Sequence, residues 1–267
     1  MKNLQVQKDS GKIMPLLFVG HGNPMNAIAE NEFAEGWRQI ALTLPKPKSI
    51  LCISAHWETN GTFVTAVEKP KTIHDFYGFP QKLFDVEYPA PGDPLLANET
   101  QKIVTKTKVE RDFNWGLDHG CWSVVKHLYP SADIPIVEMS LDYGKPPEMH
   151  YELAKELSSL RKQGVLIIGS GNIVHNLRMI NWNSTENYEW AIEANEKIKQ
   201  LVLNGDHQKL ISYKNLGREV QLAIPTPEHF LPLLYVLGLK NEDDQITLFN
   251  DKTELGSISM TSLKIGT

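Results

Sequence analysis

Four short apolar runs constrain this chain more than any other feature. They lie at residues 14–20 (MPLLFVG), 49–54 (SILCIS), 134–140 (IPIVEMS) and 165–169 (VLIIG). None alternates apolar with polar residues, as a strand with one wet face would. Near-continuous runs of this length suit strands covered on both faces, as in a parallel sheet. The intervals between them carry helical spacing, and helices are predicted over 26–42, 93–107, 146–163, 188–203 and 227–237. Pro94 falls at a first turn, where a missing N–H does no harm, and Gly164 stands where a helix would close. Strand–helix alternation implies an α/β fold, with a central, mostly parallel sheet flanked by helices. Residues 245–249 and 257–265 add two strand candidates.

The chain has 267 residues and no linker, repeat or low-complexity tract, so one domain over 1–267 is expected. Residues 1–13 are polar and read as a flexible N-terminus without the apolar core of a secretion signal. No run is long enough to span a membrane. Only Cys52 and Cys121 occur, so no disulfide framework is available and a cytoplasmic setting is expected. Cys52 reads as a buried hydrophobe, and Cys121 is a weak candidate for a catalytic thiol. A net charge of -5 disfavours nucleic acid as a partner. The oligomeric state is open between a monomer and a small homo-oligomer.

Nine histidines are the chemically interesting residues. His21 and His56 each follow an apolar strand and have Gly or Ala just before them. Ligands of open α/β sheets bind beyond the carboxyl ends of strands, so two such imidazoles point to one metal ion. His175 follows the run 165–169 across Ser170-Gly171-Asn172, which brings it to the same edge. Thr226 and Pro227 look like a helix cap and first residue, placing Glu228 and His229 in a first helical turn. Either could be a third ligand. His74 and His119 are loop candidates, and His127, His150 and His207 read as surface or filler. Trp57, Phe76, Tyr77, Phe79 and Trp115 could stack on an aromatic ring, and Arg178 could meet a carboxylate. The segment 73–93 has few regular signals, and a long loop within a compact domain often covers a site. No CxxC, HExxH, GxGxxG or phosphate-loop pattern is present, and Gly169-Ser170-Gly171 lacks the full spacing of a nucleophile elbow.

Taken together, six segments resemble the class III extradiol ring-cleavage dioxygenases, the superfamily of the protocatechuate 4,5-dioxygenase catalytic subunit. The likeness is greatest to its 4,5-DOPA extradiol dioxygenase-like branch. The segments are Gly20-His21-Gly22-Asn23-Pro24-Met25, Ser54-Ala55-His56-Trp57, Thr72-Ile73-His74-Asp75-Phe76, Trp115-Gly116-Leu117-Asp118-His119-Gly120, Gly169-Ser170-Gly171-Asn172-Ile173-Val174-His175-Asn176 and Pro225-Thr226-Pro227-Glu228-His229-Phe230. The resemblance implies a metal held by His21 and His56. The third ligand is a carboxylate in the wider superfamily, with Glu228 its nearest local candidate, and His229 in this branch. His175 matches either a further metal-site histidine or the acid/base, and His119 a histidine beside the substrate. It implies a small aromatic substrate and O₂ as reactants. Members carry Zn²⁺, whereas ring cleavage needs Fe(II), because zinc has no redox chemistry. A histidine of near-neutral pKa would take the catechol proton, His175 ahead of His119. Two other functions fit the same residues: a zinc-dependent hydrolase, and a non-catalytic protein that binds a metal or a catechol.

Overall fold

The computed structural model describes residues 13–182 and 186–267. The expected flexible N-terminus, Ile13 apart, lies outside the described residues. The strands are β1 (Leu16–Gly20), β2 (Ser49–Thr59), β3 (Thr62–Thr65), β4 (Val109–Asp112), β5 (Ile136–Asp142), β6 (Val165–Gly171), β7 (Ile246–Phe249), β8 (Thr253–Glu254), β9 (Ile258–Ser259) and β10 (Ser262–Ile265). The helices are α1 (Glu32–Ala41), α2 (Gln81–Phe84), α3 (Pro94–Ile103), α4 (His119–Leu128), α5 (Pro147–Glu156), α6 (Ser158–Lys162), α7 (Glu189–Leu203), α8 (His207–Ile211), α9 (Arg218–Ala223) and α10 (Leu231–Gly238).

Eight strands form one sheet in the order β4-β3-β5-β2-β6-β1-β10-β7. Its centre, β5-β2-β6-β1, is parallel throughout, and β10 and β7 add an antiparallel edge. The unbroken apolar runs have the expected cause: both faces of the centre are covered. Leu16 and Phe18 of β1 pack with α5, α7 and α10 on one face. Leu17 and Val19 pack with α1 and α4 on the other. No helix among the described residues is long and apolar enough to cross a membrane.

Side-chain caps set several helix boundaries. Asn31 accepts from the Ala34 N–H and starts α1, so the predicted 26–42 helix is split by an irregular turn. Asp93 accepts from the Leu96 N–H at 3.0 Å and starts α3. The predicted 146–163 helix breaks at Leu157 into α5 and α6, and Gly164, at φ +87°, follows in the left-handed conformation. The predicted strand 257–265 is two pieces, β9 and β10. The short strands β3 and β4 have too few residues to show a pattern in the sequence.

In sheet order β6 lies between β1 and β2, and all three run the same way. The chain leaves β1, passes over the place of β6 and enters β2. This is a topological switch point, where a crevice opens beyond the carboxyl ends.

Candidate metal centre

His21 follows the last residue of β1 directly, and its N–H donates to the Gly171 carbonyl of β6. His56 does not follow its strand, as the sequence suggested, but lies within it. β2 runs on to Thr59, and its register against β5 shifts between Ile53 and Glu58. Such an irregularity re-aims side chains, and here it turns His56 toward His21. The two Nε2 atoms stand 3.1 Å apart.

His229 arrives from a loop rather than a helix. α10 begins at Leu231, so Thr226 and Pro227 are not its cap and first residue. The Asn172 N–H donates to the His229 carbonyl at 2.8 Å, and a Cβ on Gly171 would come within 2.1 Å of that oxygen. Glycine is therefore required for the loop to lie against the end of β6. His119 is the first residue of α4, whose cap Asp118 accepts from the Cys121 N–H. The His21, His56 and His229 ring centroids lie 4.9, 5.3 and 5.1 Å apart. His119 stands 3.9 Å from His56, and His175 stacks on His229 at 3.4 Å. All five sequence candidates thus converge, and Glu228 with them. Ligand atoms of His21, His56 and His119 lie within 4.8 Å of one another, as do those of His175, Glu228 and His229.

The outer nitrogens show how this cluster is aimed. The His21 Nδ1–H donates to Ser170 Oγ at 3.1 Å, whose own hydroxyl donates to the Gly120 carbonyl. The His56 Nδ1–H faces Asp75 Oδ2 at 3.3 Å. The His229 Nδ1–H donates to Glu228 Oε1 at 3.2 Å, and the Thr226 hydroxyl holds that same oxygen at 2.8 Å. The His119 Nδ1–H donates to Asp75 Oδ2 at 2.9 Å. Each Nδ1 is occupied from behind, which assigns the Nε2 lone pairs to the interior. The His229 Nε2 is buried there with no partner.

A divalent ion fits this arrangement. Two nitrogens bound to one ion at about 2.0–2.1 Å stand about 3 Å apart, which matches the His21–His56 separation. Burial holds the His21 pKa well below its ordinary value, and the nearby His56 and His119 add to the effect. Burial does the same for His56 and His229, helped by their imidazole neighbours. For His175, burial and then His119 lower it to about 4. Neutral imidazoles with bare lone pairs are what a cation requires.

Asp75 is the site residue that sequence reasoning passed over, because attention fell on His74 beside it. The His74 ring bonds the Val86 carbonyl at 3.0 Å and braces the loop. Asp75 Oδ1 accepts the His119 backbone N–H, and Oδ2 faces two imidazoles. Burial pushes its pKa up, but the His119 hydrogen bond and the imidazole neighbours outweigh this and bring it to about 2. It is a carboxylate that only accepts. Behind it, burial and then the Asp75 charge raise Asp118 to about 6. Burial and then Asp118 hold Glu138 well above the ordinary range. An acidic residue directly after a loop histidine, among aromatics, was the available signal.

The rest of the candidates divide. Phe76, Tyr77 and Phe79 line the cavity in front of the histidines, as the long loop 73–93 led one to expect. Trp57 and Trp115 stack on each other at 5.5 Å and are not among its lining residues, and neither is Arg178, which is exposed. Of the two readings offered for His127 and His150, surface or filler, the second holds: both are buried, bonded to the Asn26 carbonyl and Tyr235 Oη. Cys52 and Cys121 are free and buried, and burial raises the Cys121 thiol, which leaves no reactive thiolate there.

Residues 15–264 match the family model described as the catalytic LigB subunit of aromatic ring-opening dioxygenase. The chain is 46% identical over 259 residues to a 4,5-DOPA dioxygenase extradiol of Escherichia coli K12, covering 95% of each. It is 36% identical to a protein of the same description from Beta vulgaris, covering 94% of this chain and 96% of that one. A crystal structure of an uncharacterized protein from Escherichia coli K12 is similar throughout, with a TM-score of 0.83 and 40% identity. That likeness covers 95% of this chain and 100% of the other.

Proposed function

The chain belongs to the family of catalytic LigB subunits of aromatic ring-opening dioxygenases, and from that premise we propose how its own residues serve ring cleavage. It is an enzyme of the extradiol, metal-dependent class. In our reading His21, His56 and His229 hold the metal through Nε2, and Glu228 orients His229 rather than binding. The observation that carries this is the buried, partnerless Nε2 of His229 beside His21 and His56, with the Nδ1 of the three rings taken by Glu228, Ser170 and Asp75. The reading takes Fe(II) as the working metal and Zn²⁺ as an occupant of the same three nitrogens. When bound, Fe(II) supplies O₂ activation and acidifies the catechol hydroxyls.

The remaining residues handle protons and position the ring. His119 offers a bare Nε2 to the cavity, and the Asp75 carboxylate behind it stabilises the imidazolium formed when it takes the catechol proton. The sequence puts His175 ahead of His119 as the base; in our reading the carboxylate behind His119 supports the opposite order. His119 then returns that proton to oxygen as the ring opens, while His175, across the cavity and neutral above pH 4, lines the opposite wall as a hydrogen-bonding imidazole. Phe76 stands 5.6 Å from His119, ring to ring, and limits how a catechol lies against it. The substrate is a catechol, with L-DOPA a natural probe because the relatives carry that name. The free, buried cysteines fit a reducing, cytoplasmic setting.

The test is oxygen uptake by metal-stripped protein reloaded anaerobically with Fe(II), with a zinc-loaded control, on L-DOPA and a catechol panel. Uptake with a yellow semialdehyde product, only with iron, is expected. Turnover of an ester or amide with zinc and no oxygen consumption would overturn the reading in favour of a hydrolase. Replacing His119 by Ala should leave metal content intact and slow turnover by about 10²–10⁴-fold. Unchanged turnover would remove His119 from proton transfer.

A further inference from the structure

The cavity in front of the histidines is larger than a catechol needs. Its volume is about 370 Å³. A cavity of roughly 150 Å³ accommodates benzene, so one ring leaves room for a second group of similar size. That remaining space is mostly apolar, with Asn23 and Tyr77 its uncharged polar members. Phe76, Phe79, Leu177, Ile180, Trp182 and Ile258 line it, and no Lys or Arg is found among its described lining residues. The single lining carboxylate, Asp75, is already engaged by His56 and His119. At the mouth Leu177 and Trp182 are each 61% exposed although both line the cavity. Large apolar side chains left open beside a concave site mark where a ligand covers them.

Resting on the ring-cleavage reading, we propose that the preferred substrate is a catechol bearing an uncharged apolar or aromatic substituent. The diol faces His119 and the histidine cluster, and the substituent lies along Ile180 and Ile258 and ends against Leu177 and Trp182. A carboxylate attached to the ring would enter this space without a cation to meet it. A desolvated, unpaired anion is strongly disfavoured. An apolar group gains by removing its own surface and that of the mouth from water. Discrimination by an apolar pocket for a group of this kind reaches about 10–200-fold.

The test compares 4-phenylcatechol, 4-methylcatechol, L-DOPA and 3,4-dihydroxybenzoate on the Fe(II)-loaded protein. Oxygen uptake gives kcat/KM, and quenching of tryptophan fluorescence under anaerobic conditions gives binding. The expected order places 4-phenylcatechol first and 3,4-dihydroxybenzoate last, at least about tenfold apart in both readouts. The double variant Leu177→Ala, Trp182→Ala should narrow the ratio of phenyl- to methylcatechol. Leu177→Arg, at an exposed position, should tighten 3,4-dihydroxybenzoate and weaken its preference deficit. If 3,4-dihydroxybenzoate equals or exceeds 4-phenylcatechol, the substrate class is wrong while ring cleavage stands. If no catechol consumes oxygen or binds, the ring-cleavage reading itself fails.

Discussion

Polar groups are buried at both ends of the central strands, and the two ends are finished differently. At the amino ends of β1 and β6, Arg161 of α6 is 1% exposed and each of its guanidinium nitrogens has an acceptor. Its guanidinium donates to the Met14 carbonyl at 2.8 Å, the Leu239 carbonyl at 2.9 Å and Asp244 at 2.7 and 3.2 Å. At the carboxyl ends five imidazoles crowd together, none paired with a cation or anion on its inner side. Burial depresses the pKa values there, and the His229 Nε2 is left without a partner. A closed polar network ties the chain together. An open one keeps unsatisfied acceptors in reserve for a ligand, at a cost in stability borne by the rest of the fold.

The largest contrast comes from replacing the inner ends themselves. His21→Ala or His56→Ala should abolish metal retention, read by elemental analysis, and turnover with it, while the metal-free protein keeps its thermal midpoint. Full metal content in either variant would remove that residue from the centre. Arg161→Met should do the reverse. Removing the guanidinium leaves the Met14 and Leu239 carbonyls and the half-buried Asp244 without their donor, which should cost about 1–3 kcal/mol in chemical denaturation, with metal content per folded chain unchanged.

The two ends were also unequally legible in the sequence. The sheet and the strand-end histidines could be read because apolar runs and a residue at a run's end are local signals. His56 was located but its setting was not, because a register shift within β2 depends on pairing with β5. His229 was placed in a helix because Thr226-Pro227 has the chemistry of a start. What decides otherwise is the close packing of its carbonyl on Gly171, a contact between distant segments. Asp75 and Ser170 were missed as partners for the same reason: each acts through a histidine far away in sequence. Arg161 carried no visible mark, being one basic residue in a helical stretch.

Acid should separate the ends more gently. His175 has a folded pKa near 4 against 6.5 when unfolded, so between these values the unfolded chain binds the extra proton. Stability is therefore full above pH 6.5 and falls as pH drops toward 4, by about 3 kcal/mol for this residue in the metal-free protein. Asp244 is shifted downward because Arg161 outweighs the effect of its burial, so its contribution is lost only below the ordinary carboxylate range. Denaturation midpoints of the metal-free protein at pH 7, 5 and 4 check this. A flat profile across that interval would show that the imidazoles are not destabilised by burial.

The smallest predicted effect is the sharpest test of the histidine end. Asp75→Asn keeps size and shape and changes what one side chain can accept. Asp75 Oδ1 takes the His119 backbone N–H at 2.9 Å, and Oδ2 faces the Nδ1 of both His119 and His56. An amide has one oxygen. If it stays on the backbone N–H, the NH₂ group faces two imidazoles that were donating, and at least one must move its proton to Nε2. For His56 that places a hydrogen where the ion belongs. Metal affinity should then fall by about 10–100-fold, the usual effect of removing an orienting partner. Nitrogen NMR of the metal-free variant should show a histidine of changed tautomer. A variant with undiminished affinity and the original tautomers would mean that packing alone aims His56, leaving Asp75 to serve only His119.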